Sequence, residues 1–177
     1  MKILLTEKEL DDGVAAMAQQ IAHAYGDKPL TVIAIMTGSL ILLADLIRYL
    51  EMPLRVGLIQ ASSYRGGTTS GQLTINETMQ LDIKDRDVLI IDDIFDTGKT
   101  LREVMLRMAE LKPKSLRSAV LLNKQGKQEV SMQPDFVAFN IPDEFVVGYG
   151  LDYQDHYRNL PYLACLEPQD LQSPFPL

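Results

Sequence analysis

The chain has 177 residues, 46% of them apolar and 23% charged, which supports one domain with its own core and excludes disorder, collagen and coiled coil. Seventeen Lys and Arg against 24 Asp and Glu give a net charge of -7, which argues against broad attachment to nucleic acid or an anionic membrane. It leaves room for a small anionic ligand held by backbone amides, and the lone Cys165 rules out an internal disulfide.

Thr6 and Glu9 have the spacing of a capping box, and Leu10, Val14, Met17 and Ile21 recur at helical period until Gly26 and Pro29 stop the helix. Thr31 to Met36 is a short β-branched run, interrupted at Thr37, Gly38 and Ser39. A helix then runs from Leu40 to Leu50, closed by Pro53. Leu54 to Ala61 reads as a strand and Leu73 to Met79 as its return, joined by a glycine- and hydroxyl-rich segment from Ser62 to Gly71 that suits a long lid loop.

Val88 to Ile91 is apolar without alternation, as expected of a strand covered on both faces in the middle of a parallel sheet. Helical spacing resumes through Leu101, Val104, Met105, Met108 and Leu111, with Glu103 and Arg107 as a supporting pair and Pro113 as the stop. A strand follows from Leu116 to Leu122, then a polar loop around Gly126. Phe136 to Asn140, Val146 to Tyr149 and Leu163 to Leu166 read as three further short strands. Strands alternating with helices predict an α/β domain whose ligand sits at the carboxyl ends of a mainly parallel sheet.

The segment Asp92 to Thr100 (DDIFDTGKT) follows the buried strand and opens a helix. Backbone amides of Thr97, Gly98, Lys99 and Thr100 suit a phosphate at the helix tip, with the threonine hydroxyls as extra donors. Asp92 and Asp93 suit sugar hydroxyls or magnesium. A pentose 5-phosphate satisfies both halves. The P-loop alternative fails because Asp93 stands where that pattern needs glycine, and Ile94 stands where a haloacid-dehalogenase-type phosphatase needs its second aspartate. Helix capping alone would be a sufficient role for one carboxylate, but three at the end of a buried strand repel one another at a cost in stability. His23, His156 and Cys165 lie far apart in sequence and give zinc or cysteine chemistry little support.

Val88 to Thr100 (VLIIDDIFDTGKT) resembles the phosphoribosyl-diphosphate signature of the type I phosphoribosyltransferases. Met36 to Ser39, Ser62 to Tyr64, Pro142 to Tyr153 (PDEFVVGYGLDY) and Tyr157 to Leu160 narrow the resemblance to the hypoxanthine-guanine branch, across nearly the whole chain. It implies a single domain over residues 1–177, a mainly parallel sheet flanked by helices with a small hood built from the N- and C-terminal segments. It also implies the reaction of a 6-oxopurine with phosphoribosyl diphosphate, with magnesium, to give IMP or GMP plus diphosphate.

The same resemblance assigns roles. Asp92 and Asp93 would hold the ribose hydroxyls and magnesium, Thr97 to Thr100 the 5-phosphate, and Gly38 and Arg158 the diphosphate, Arg158 having Asp155 as a nearby partner. Asp96 would take or relay the purine N7 proton, its alternative role being a helix N-cap. Lys124 would donate to the purine O6 and so select 6-oxopurines, while Phe145 stacks on the base and the backbone of Val146 and Asp152 reads its edge, Asp152 also lying near a second magnesium. Ser63 and Tyr64 would enter the site on a lid that keeps water from the cationic sugar. Thr37 replaces a lysine, and Asp92 a glutamate, common in relatives. The expected setting is the cytoplasm and the expected assembly a homodimer or homotetramer, without membrane or nucleic-acid partners. A nucleotide-sensing RNA-binding regulator on the same fold would need a basic face, which this acidic chain lacks.

Overall fold

The uninterrupted apolar runs become the centre of a sheet in the computed structural model, which describes residues 1–62, 74–75, 81–167 and 169–170. Strands β2 (Leu30–Met36), β3 (Leu54–Ser62), β5 (Asp87–Phe95), β6 (Ser115–Lys124) and β7 (Phe136–Ile141) are parallel in the order β3-β2-β5-β6-β7. The short β4 (Thr74–Ile75) adds antiparallel to the outer edge, pairing with Ala61 and Ser62 as the expected return. Ser63 and Tyr64, and with them the proposed lid from 63 to 71, lie outside the described residues.

Alternation along these strands splits the core in two. Val32, Ala34, Leu89, Ile91, Ala119 and Leu121 face α1 (Glu7–Tyr25) and α2 (Leu40–Tyr49), whereas Ile33, Ile35, Val88, Ile90 and Val120 face α3 (Lys99–Glu110). Each fully buried Val, Leu or Ile stabilises the fold by about 1.5–3 kcal/mol before the entropy of ordering it is counted. Both faces are covered, which is why Val88 to Ile91 needs no polar alternation. At the start of α1 the capping box is present as read: the Thr6 amide donates to Glu9 Oε2 at 2.8 Å and the Glu9 amide to Thr6 Oγ1 at 3.3 Å.

A second sheet of three antiparallel strands joins the two ends of the chain, in the order β1 (Lys2–Leu5), β9 (Leu163–Cys165), β8 (Val146–Val147). β1 has no counterpart in the sequence reading, because four residues with no clean alternation give no periodic signal and the strand exists only through its partner. β8 is shorter than the expected Val146–Tyr149, since Gly148 and Tyr149 both turn to positive φ, at 97° and 48°.

Candidate active site

The end of β5 carries two carboxylates into an apolar sheet. Asp92 is only 7% exposed, its Oδ1 accepting the Asp93 amide at 3.0 Å, while Asp93 Oδ1 accepts the Ile94 amide at 2.8 Å. Burial, then the neighbouring Asp93 charge, holds the Asp92 carboxyl well above the usual carboxylate range, and burial also raises Asp93. Two acids so placed are a charge deficit waiting for a cation.

Both face a cavity of about 360 Å³, whose wall also includes Gly38, Asp96, Thr97, Gly98, Thr100, Asp152 and Arg158. At its floor α3 begins without a side-chain cap. Its N-cap is Gly98, in the left-handed conformation at φ 82°, which brings no side chain to the helix tip; the Lys99 amide meets Thr97 Oγ1 at a long 3.5 Å, and no side chain caps the amides that follow, which can meet an anion. A side chain at Gly98 would meet Val130 Cγ2 at 2.4 Å and the Phe95 ring at 2.7 Å in addition to the backbone penalty. Because Gly98 is the cap, Asp96 is not, which removes the structural alternative for that residue. The Lys99 ammonium pairs with Glu129, so Lys99 offers the site its backbone amide and not its charge.

On the opposite wall the Met36–Thr37 peptide bond is cis and Gly38 lies flat against the acids. A Cβ on Gly38 would stand 1.6 Å from Asp93 Oδ2, so any larger residue there must displace that carboxylate. The next layer is Gly150, whose added Cβ would meet the Gly38 carbonyl at 2.1 Å. Arg158 closes this side: Nη1 donates to the Gly150 carbonyl at 2.7 Å and Nη2 pairs with Asp152 Oδ1 at 2.7 Å. The partner of Arg158 is therefore Asp152 and not Asp155, whose amide instead donates to Asp152 Oδ2 at 3.0 Å. Among the described residues no three acidic, histidine or cysteine side chains converge as a ready-made metal cage.

Beside the acids lies a differently built wall. Lys124, at the end of β6, is 6% exposed, with its Nζ 3.7 Å from Asp96 Oδ2 and 3.5 Å from Asp143 Oδ1. A surface lysine would not sit so. Lys127 Nζ donates to Asp143 Oδ1 at 3.1 Å and stands 3.8 Å from Asp96 Oδ1, a buried oxygen with no hydrogen-bond partner. Phe145 is 53% exposed and meets Tyr153 in a T-shaped contact with centroids 5.6 Å apart, while Val146 is buried. Neither residue lines the cavity of the acids.

Lys127, Asp143 and Glu129 were not singled out in the sequence, and no local pattern marks them, because their roles come from loops folded back on the strand ends. A larger cavity of about 610 Å³ lies beyond Arg158, where the first turn of α1 brings Glu7 and Lys8 to the wall; with Asp11 and Asp45 beside them, three acids there offset Lys8 and Arg158 and make it a poorer place for an anion.

The phosphoribosyl transferase domain family matches residues 2–154. The chain is 38% identical over 169 residues to a hypoxanthine-guanine phosphoribosyltransferase of Staphylococcus aureus, covering 95% of this chain and 94% of that protein. A crystal structure of a hypoxanthine-guanine phosphoribosyltransferase from Bacillus anthracis superposes with a TM-score of 0.89 at 35% identity, covering 94% of this chain and 99% of that one. The hypoxanthine phosphoribosyltransferase of Trypanosoma cruzi, solved in complex with the product IMP, also gives a TM-score of 0.89, at 37% identity and with 96% of each chain covered.

Proposed function

The chain belongs to the phosphoribosyl transferase family, and on that footing we propose that it is a hypoxanthine-guanine phosphoribosyltransferase of purine salvage, with the residue roles that follow. The enzyme transfers the 5-phosphoribosyl group of phosphoribosyl diphosphate to a 6-oxopurine, releasing diphosphate. One observation carries the assignment of the site: the buried Asp92 and Asp93, the uncapped start of α3 and Asp96 share a single cavity at the carboxyl ends of the sheet.

The 5-phosphate lies on the amides and hydroxyls of Thr97 to Thr100, where the helix dipole adds to the hydrogen bonds. The ribose hydroxyls meet Asp92 and Asp93. Arg158 and the Gly38 backbone receive the diphosphate, and Arg158 arrives already oriented by Asp152 and the Gly150 carbonyl. Lys124 donates to the purine O6, with Phe145 stacked on the ring and the Val146 backbone at its edge. As the bond from the sugar carbon to diphosphate breaks and the bond to purine N9 forms, Asp96 takes the N7 proton. Its Oδ1 accepts no hydrogen bond in the structure and stands 3.8 Å from Lys127 Nζ. Adenine carries a donor where Lys124 needs an acceptor, so it is rejected.

Asp92 and Asp93 fit magnesium: both are hard oxygen donors, and the burial that raises both carboxyls, with the added Asp93 charge at Asp92, is offset by a cation. When bound, magnesium neutralises the diphosphate leaving group. Asp152 could approach such an ion only by releasing Arg158. We read residues 1–177 as one domain, with the small sheet as its hood. Exposed Leu40, Val56 and Leu58 support a homodimer or a homotetramer. Among the described residues no helix is long and apolar enough to cross a membrane, which accords with a cytoplasmic setting.

The test is a panel of hypoxanthine, guanine, xanthine and adenine with phosphoribosyl diphosphate and magnesium. Diphosphate release is expected with hypoxanthine and guanine and not with adenine. Comparable release with adenine would remove Lys124 from its role.

A further inference from the structure

The four charged groups on the base side alternate in sign and differ in how tightly they are joined. Lys127 Nζ is hydrogen-bonded to Asp143 Oδ1 at 3.1 Å, whereas Lys124 Nζ stands 3.5 Å from that same oxygen and 3.7 Å from Asp96 Oδ2. Charge-assisted hydrogen bonds between ammonium and carboxylate close to about 2.7–2.9 Å, so the buried lysine lies between two acids without closing on either. Asp143, by contrast, is committed to Lys127, whose hydrogen bond holds its carboxyl below the usual range.

The backbone shows how Lys127 reaches that position. After β6 the chain turns at Gly126, the Gln125 amide donating to the Ile141 carbonyl at 3.0 Å, and Gln128 ties the turn back to the Lys124 carbonyl. This folds Lys127 over the end of its own strand, beside Asp143 at the end of β7. The other acid beside Lys127 is Asp96, whose Oδ1 stands farther off at 3.8 Å, and Glu129 is occupied by Lys99.

We propose that Lys127 is a positioning residue for base recognition: by holding Asp143 it keeps the Lys124 ammonium from being drawn into a closed ion pair, so that its donors remain free for the 6-oxo group of the purine. The inference rests on the reading of Lys124 as the group that contacts the base. Without Lys127 the Asp143 carboxylate has one cation left within reach, and Lys124 closes on it. Binding of the oxopurine must then break that pair first. The donor sugar, gripped on the other wall, is untouched.

The experiment is a kinetic cycle of Lys127→Gln, Asp143→Asn and the double variant, with hypoxanthine and phosphoribosyl diphosphate each varied in turn. Lys127→Gln is expected to raise the hypoxanthine KM about tenfold, a coupling usual for neighbouring charges, and to leave the phosphoribosyl diphosphate KM unchanged. Lys127→Arg restores the hypoxanthine KM, and in the Asp143→Asn background the Lys127→Gln change has no further effect. An unchanged hypoxanthine KM, an effect of equal size in the Asp143→Asn background, or a parallel rise in both KM values overturns the proposal. Lys124→Gln separates the two levels. If it abolishes the preference for hypoxanthine over adenine while the Lys127 variants do nothing, only the positioning role fails; if it leaves that preference intact, the reading of Lys124 fails and takes the positioning role with it.

Discussion

On one wall of the cleft Asp92 and Asp93 are held together with raised pKa values, facing helix amides that have no cap; on the other, Asp96 and Asp143 alternate with Lys124 and Lys127 at 3.1 to 3.8 Å. The first wall is electrostatically unfinished: its acids lack cations and its amides lack an anion. The second is neutral before anything binds. The difference matches the two substrates, since a sugar with phosphates and magnesium brings charges of both signs, whereas a purine base brings none. A site for a charged donor can leave its charges open; a site for a neutral base must balance its own, or bear the cost of buried ions in every resting molecule.

The contrast is broken most severely at Asp96, which belongs to the balanced wall but is proposed to meet the reacting base. Asp96→Asn is expected to lower turnover by about 10² to 10⁴-fold, with the KM for phosphoribosyl diphosphate nearly unchanged, in steady-state assays with each substrate varied. Unchanged turnover would reduce Asp96 to a counter-ion for the lysines. Next in size is Gly38→Ala. Its methyl group would fall 1.6 Å from Asp93 Oδ2, so the carboxylate must move. Turnover should drop by about 10²-fold through misplacement of the donor, together with a raised KM for phosphoribosyl diphosphate. A variant with normal donor kinetics would show that Asp93 does not hold the sugar.

The smallest effect is the most diagnostic, because one kind of substitution should act with opposite sign on the two walls. Asp92→Asn removes a buried repulsion and should stabilise the ligand-free protein by about 1 kcal/mol, or about 2–4 °C in melting temperature. Asp143→Asn strips a counter-ion from Lys124 and should destabilise it. The pH dependence follows from linkage. Asp92 has a folded pKa above its unfolded value, so the native state binds the extra proton. Stability is therefore lost as pH rises from the ordinary carboxylate value through the raised one. In Asp92→Asn that loss should be smaller over the same range, as read from thermal melts between about pH 4 and pH 8. Equal and same-signed shifts in the two variants would mean that the walls do not differ.

Much of this was written locally in the chain. The capping box of Thr6 and Glu9, the doubly apolar strand from Val88 and the order of carboxylates, hydroxyls and glycine from Asp92 to Thr100 each depend on neighbours a few residues apart, and the helix and strand periods translate them directly into structure. That is why the α/β class, and the turn and helix start proposed to hold the phosphate, could be read from residues alone. Tertiary structure decided the rest. Whether Lys124 is a solvated charge or a buried one depends on Asp96 and Asp143, which reach it from the ends of different strands. Asp152 rather than Asp155 holds Arg158, Lys99 turns away to Glu129, a side chain at Gly38 would collide with Asp93, and one at Gly150 would collide with the Gly38 carbonyl. Strand β1 exists only by pairing with β9 from the far end of the chain. Hydrogen bonding along a helix or strand is a short-range property that composition and spacing encode, whereas burial, ion pairing and close backbone approach are set by which surfaces the folded chain brings together.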